Sequence, residues 1–202
     1  MRVFLCDVGN IPQDVFKKAA CLLPEGRVPR ENVRADAYAA RVVGTLLAQY
    51  AVKQLSPQAV CEKWLITKNG KPYIESCPVH FSISHAGGIV AVAVDESSPV
   101  GVDVEQVRKI REGFAARYFS EDEQRLIRTT EDPDEALIRL WTAKEAVGKQ
   151  LGTGLGENIP ALDTQKAATA VLKKKGARFA LSVAPKREIP ALEWVNFEDL
   201  VP

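Results

Sequence analysis

The 202-residue chain predicts an α+β fold. Three observations carry that prediction. Two long stretches place apolar residues at spacings of three and four, an Asn69-Gly70 pair separates two strand-like runs, and several short runs alternate apolar with polar residues. Helices and antiparallel hairpins are mixed along the chain, which is the α+β pattern. Each half offers one long helix and a hairpin sheet. Two similar halves, 1–99 and 100–202, are therefore expected to meet near Pro99 with their site in the cleft between them, although no sequence repeat relates them.

In chain order, Arg2 to Val8 reads as a strand and Ile11 to Leu23 as a helix ended by Pro24 and Gly26. A second helix is expected from about Glu31 to Tyr50, with Val33, Ala37, Ala40, Val43, Leu47 and Ala51 as its apolar stripe. Ser56-Pro57 reads as the start of a further short helix. Asn69-Gly70 then turns a hairpin, with Lys71 and Pro72 directly after the turn. Val79, Phe81 and Ile83 alternate into Ser84-His85, and Gly87-Gly88 breaks the run before a buried-type strand, Ile89 to Val94. Val100, Val102 and Val104 alternate with Gly101, Asp103 and Glu105, so the two acids point to one side of a strand. An exposed edge would tolerate them equally well.

Ser120 and Glu123 form a capping box. The next helix has Asp132 as its cap, Pro133 at the first position and Asp134 and Glu135 at its positive end. Its stripe is read as Ala136, Leu140, Ala143, Val147 and Leu151, with Trp141, Lys144, Glu145, Gly148 and Lys149 as a second seam. Gly148 costs such a helix roughly 1 kcal/mol relative to Ala, which suggests a close approach there. Gly152, Gly154 and Gly156 end it. Thr169 to Leu172, Arg178 to Val183 and Trp194 to Phe197 read as the last strands.

Composition excludes several classes. A net charge of +1 gives no global pull toward nucleic acid or an anionic membrane. No apolar run reaches membrane-span length, and Met1-Arg2 leads straight into a strand, so neither a membrane span nor a signal peptide is expected. The four cysteines form no CxxC and have only His80 and His85 as possible companions, which argues against zinc and for reduced thiols in the cytoplasm. No GxSxG or phosphate-loop motif is present, and the glycines after Lys149 follow a helix instead of opening one.

The remaining polar residues describe one chemistry. Three carboxylates, Asp103, Glu105 and Glu145, suit a hard divalent cation, and Lys144, Lys149 and His85 suit phosphate oxygens. Together they fit metal-assisted phosphoryl transfer. Sequence spacing alone leaves open whether they meet. Lys71 reads equally well as hairpin decoration, and the arginines around the second helix as solvated charge.

GVDVE (101–105) and WTAKEAVGKQLGTGL (141–155) resemble the two signature motifs of the 4′-phosphopantetheinyl transferases of the surfactin-synthetase-activating type. FSISHAGG (81–88) and NGKP (69–72) resemble two further segments, in the same order, so that the likeness runs from about Arg30 to Leu155. The resemblance implies Mg²⁺-dependent transfer of the phosphopantetheine arm of coenzyme A to a serine of an apo-carrier protein, with release of 3′,5′-ADP. It implies a monomer of two similar halves, Mg²⁺ on Asp103, Glu105 and Glu145, and the diphosphate on His85 and Lys149 with Lys144 close by. It places Lys71, Pro72 and Ser84 at the nucleotide or its 3′-phosphate, helped by Arg30 or Arg34, and gives the serine proton to Glu145 or Glu123. The chain departs from the pattern at Ser82, where asparagine is usual, and at Ala86, where a second serine is usual. A relative that binds coenzyme A or a carrier without transfer, and a different Mg²⁺-dependent phosphoryl enzyme, are the alternatives. Family carriers are often acidic near their serine, and Arg108, Lys109, Arg111 and Arg117, with Ile110 and Phe114 between them, are candidates to receive one.

Overall fold

The computed structural model describes residues 1–30, 32–111, 113–154, 159–186 and 188–201. The expected helix start at Glu31 and the motif end at Leu155 and Gly156 lie outside the described residues. The order is β1 (Arg2–Asp7), α1 (Gln13–Ala19), α2 (Ala35–Leu55), β2 (Trp64–Ile66), β3 (Pro72–Ile74), β4 (His80–Ala86), β5 (Ile89–Asp95), β6 (Gly101–Gln106), α3 (Phe114–Tyr118), α4 (Glu121–Thr129), α5 (Pro133–Leu151), β7 (Ala168–Lys174), β8 (Ala177–Ala184) and β9 (Leu192–Trp194). The fold is α+β. Among the described residues no helix is long and apolar enough to cross a membrane, and the four cysteines are unpaired.

Strand alternation builds the layers. One sheet runs β4-β5-β1-β9 and a second runs β6-β8-β7, with β2-β3 a separate hairpin. On β1, Phe4 and Cys6 face the core under α2, while Val3 and Leu5 face the other way. There they meet Val102 and Val104 of β6 and Phe179, Leu181 and Val183 of β8. The opposite side of β8 carries small residues, Ala180, Ser182 and Ala184, so α5 packs closely on it. Thr142 of α5 and Ser182 share a buried hydroxyl hydrogen bond of 2.8 Å. The succession is thus α2, first sheet, second sheet, α5. A period of two therefore sends the valines of β6 between the sheets and turns Gly101, Asp103 and Glu105 toward α5.

Several expectations are corrected. Residues 56–63 carry no helix; Ser56 to Ala59 close a single turn, the Ala59 N–H donating to the Ser56 carbonyl at 2.9 Å, and the chain then runs irregularly into the hairpin. The buried side of α5 is Leu137, Ile138, Thr142, Ala143, Ala146 and Val147, and Leu151 is about half exposed. The stripe read from sequence is rotated because α5 is covered by the second sheet and by α4, a wider contact than one seam. Gly148 is not the point of closest approach: a Cβ there would stand 3.6 Å from its neighbours, an ordinary contact. That role belongs to Gly101, where a Cβ would lie 1.8 Å from the Ala146 carbonyl oxygen. The Pro99 division falls between β5 and β6, but β9 crosses it. It pairs parallel to β1, and Val195, Phe197 and Leu200 bury in the core under α2.

Candidate active site

Gly101 lets β6 press its backbone on α5, and this contact brings two distant segments of sequence together. Asp103 is buried, and its Oδ1 accepts from the Lys149 ammonium at 2.7 Å and from the Ser84 hydroxyl at 2.7 Å. Lys149 also donates to the Val102 carbonyl at 3.1 Å. Asp103 Oδ2 is buried with no hydrogen-bond partner, a costly state for a carboxylate oxygen.

The other two acids feel this charge. Burial, with Asp103 and Glu105 acting in the same direction and Lys149 against them, raises the Glu145 carboxyl to about 7. Burial and Asp103 likewise raise Glu105, against Arg108 and Lys149. The three carboxylates therefore share one electrostatic neighbourhood. They are not gathered about a point, since among the described residues no three acidic, histidine or cysteine side chains are grouped as a metal would need.

Two cavities meet this neighbourhood. One, of about 390 Å³, is lined by Asn69 to Pro72, Ser82, Ile83, Glu145, Gly148, Lys149 and Leu162. The other, of about 730 Å³, includes Arg34, His85, Glu105 and Arg108 and the first residues of α2. The cap position of α2 is Arg34, which gives its N-terminus no side-chain acceptor. Asp36 in the first turn takes backbone N–H groups there on its own carboxylate, so the start of this 21-residue helix brings both its positive end and an acid to the polar cavity. His85 is exposed on β4; desolvation by its surroundings and the Lys149 charge lower its pKa, against Asp36 and Asp103.

Not every candidate arrives there. The Lys144 ammonium is fully buried, donates to the carbonyls of Ile159, Pro160 and Leu162, and pairs with Glu123 at 3.0 Å. Although Lys144 lines the smaller cavity, its donors are committed to holding the chain after α5, so the expected phosphate contact is corrected to a structural tie. Glu123 accepts from the Ser120 N–H, completing the capping box, and is the partly buried counter-charge of Lys144, so its carboxylate is engaged in the capping role the sequence also offered it. Lys71 donates to the Val100 and Lys149 carbonyls at 2.8 and 2.7 Å, and burial together with Lys149 lowers its pKa to about 8. It ties the hairpin turn to the start of β6 and the end of α5, and it also lines the smaller cavity. Pro72 lines the smaller cavity. Arg34 lines the polar one while paired with Asp36 at 2.9 Å. Arg30 is exposed and lines neither.

Sequence reasoning passed over two residues. Gly101 interrupts a strand pattern, which is the available sign of a close backbone approach. Asn69 does more than turn the hairpin, because its Nδ2 donates to the Gly152 carbonyl at 2.7 Å and latches the turn on the end of α5. Nothing in the sequence signals that bond.

Comparison with known proteins points the same way. Residues 99–190 match the family model described as the 4′-phosphopantetheinyl transferase superfamily. A 4′-phosphopantetheinyl transferase of Bacillus pumilus is 42% identical over 94 residues, 45% of this chain and 40% of that protein. One from Aneurinibacillus migulanus is 30% identical over 149 residues, 71% of this chain and 61% of that protein. The chain thus spans between two fifths and three fifths of the length of these relatives. The crystal structure of a Thermotoga maritima holo-[acyl-carrier-protein] synthase aligns with 44% of this chain and 64% of that one at 27% identity, with a TM-score of 0.29 that bears no weight for the fold.

Proposed function

Because residues 99–190 match the family model of the 4′-phosphopantetheinyl transferase superfamily, we propose that the chain is a member and transfers the 4′-phosphopantetheine arm of coenzyme A to a serine of an apo-carrier protein. The observation that carries this reading is the buried, unpartnered Asp103 Oδ2 beside two carboxylates whose pKa values are raised. An orphaned oxygen among mutually repelling acids fits a cation, and an all-oxygen donor set suits Mg²⁺. Asp103 would hold it through Oδ2, with Glu105 and Glu145 as the further carboxylates that share its charge, and it would neutralise charge on the diphosphate of coenzyme A.

The chain's own groups supply the rest. Lys149 and His85 hold diphosphate oxygens, with Arg34 and Arg108 providing positive potential in the polar cavity. The narrower cavity, with Pro72, Ile83 and Leu162 on its walls, takes an uncharged part of coenzyme A. Glu145, which lines the smaller cavity, accepts the proton of the carrier serine. The serine oxygen bonds to the β-phosphorus, the bond from that phosphorus to the bridging oxygen breaks, and 3′,5′-ADP departs. Residues 1–99 supply the nucleotide side and residues 100–202 the metal and catalytic side of a two-half monomer, with β9 lent across the division. Arg111 and Arg117, beside the half-buried Phe114, receive an acidic carrier.

The test is incubation with Mg²⁺, coenzyme A and a panel of apo-carriers, followed by mass spectrometry of the carriers. A gain equal to phosphopantetheine supports the reading. Coenzyme A binding with no gain on any carrier overturns it in favour of a non-catalytic relative.

A further inference from the structure

The two sheets touch along β4 and β6, and the contact is made by side chains where a strand backbone would be expected. The N–H groups of Val102 and Val104 leave the open edge of β6 and donate to the hydroxyls of Ser82 and Ser84, at 3.2 and 3.3 Å. Residues two apart on a strand share a side, so a Ser-x-Ser segment fits a Val-x-Val segment in a single register. Both serines are buried. The serine at position 82 thus has a defined task.

The two hydroxyls differ in what they do with their proton. A backbone N–H can only donate, so it takes acceptor capacity from Ser84 and leaves the Ser84 O–H free to point elsewhere. It points at Asp103 Oδ1, 2.7 Å away. Lys149 takes the same oxygen. With Oδ1 held on two sides, the rotamer of Asp103 is fixed and Oδ2 is the oxygen left over.

We propose that Ser84 is a positioning residue: clamped by Val104 N–H, its hydroxyl holds Asp103 so that Oδ2 is presented to a divalent cation. This rests on the reading of Asp103 as a metal ligand. It replaces a contact to the nucleotide with an outer hydrogen bond that orients a ligand, a kind of partner whose loss typically costs about 10–100-fold in metal affinity. Ser82, which lacks the bond to Asp103, serves as the internal control.

The experiment is calorimetric titration of Mn²⁺ into the full chain with coenzyme A present, alongside thermal melting and the Mg²⁺ dependence of carrier mass gain. Ser84→Ala is expected to bind Mn²⁺ about tenfold or more weakly and to need correspondingly more Mg²⁺ for half-maximal transfer. Ser84→Thr, which keeps the hydroxyl, restores both. Ser82→Ala lowers the melting temperature with its Mn²⁺ affinity unchanged. Should Ser84→Ala fail to fold, Ser84→Cys keeps the volume with a weak donor and is read the same way. Equal Mn²⁺ affinity in wild type and the Ser84 variant, or an equal loss in the Ser82 and Ser84 variants, overturns the proposal alone. A wild-type chain that binds no Mn²⁺ overturns the metal reading beneath it.

Discussion

Lys144 and Glu145 are neighbours on α5, yet their charges serve different ends. The Lys144 ammonium is wholly buried against Glu123 and three carbonyls, whereas Glu145 lines a cavity among the repelling carboxylates. One residue of helical advance, about 100° by the 3.6-residue turn, separates a structural charge from a chemical one.

That separation gives the first prediction. Lys144→Met leaves Glu123 half-buried without its partner and is expected to destabilise the fold by about 3–5 kcal/mol, as for one partner removed from a buried pair. Lys149→Ala removes the charge partner of buried Asp103, so it should weaken coenzyme A binding as well as stability, whereas Lys144→Met spares the affinity. Denaturant melts and calorimetry on the two variants separate the effects; the same loss of affinity in both at equal stability would contradict the assignment.

Asp103→Ala should lower Mg²⁺-dependent transfer by about 10²–10³-fold. Loss of a metal ligand removes several kcal/mol of charge stabilisation, and each 1.36 kcal/mol is a factor of ten. Carrier mass gain over time measures it, and an unchanged rate would reject Asp103 as a ligand.

Glu145 titrates near 7, so near neutral pH it is partly protonated in the cation-free chain. A divalent cation requires the carboxylate, so binding at pH 7 should release a proton fraction of about one half. Calorimetry in buffers of different ionisation enthalpy reads that number directly. The stability sign follows from the same shift. A raised carboxyl pKa penalises folding above pH 7, and the penalty fades as pH falls toward the unfolded value near 4.5. Glu145→Gln should therefore raise the melting temperature of the cation-free chain at pH 8, with little gain at pH 4.5.

Gly101→Ala drives a methyl into the Ala146 carbonyl. Because both backbones are held in packed elements, relief requires parting β6 from α5, at a cost at or above the ~1–3 kcal/mol usual for overpacking. A sharp fall in melting temperature with loss of Mn²⁺ binding is expected; a variant that melts like wild type would show that the contact gives way.

Lys71→Met should cost about 1–3 kcal/mol by leaving the Val100 and Lys149 carbonyls without their donor. The loss is read by denaturant melts, and unchanged stability would show that solvent or another donor takes over.

Local rules in the sequence determined the elements of this protein. Asp132, Pro133 and Gly152 start and stop α5 as their chemistry requires, Ser120 and Glu123 form their capping box, Asn69-Gly70 turns its hairpin, and the alternation in GVDVE puts both acids on one side. Those rules act over a few residues, so they also revealed Asp103, Glu105 and Glu145 as a possible set. Only the tertiary structure decided which charges reach the site. Lys144 and Glu123 are committed to each other and to the chain after α5, and Lys71 to the Val100 and Lys149 carbonyls, because a buried ammonium or carbonyl must find a partner and packing supplies it from segments distant in sequence. The same demand lends β9 to the far sheet and turns Ser82 and Ser84 into partners for an open strand edge, since hydrogen bonding left unmet by one segment is satisfied by whichever segment packing brings beside it.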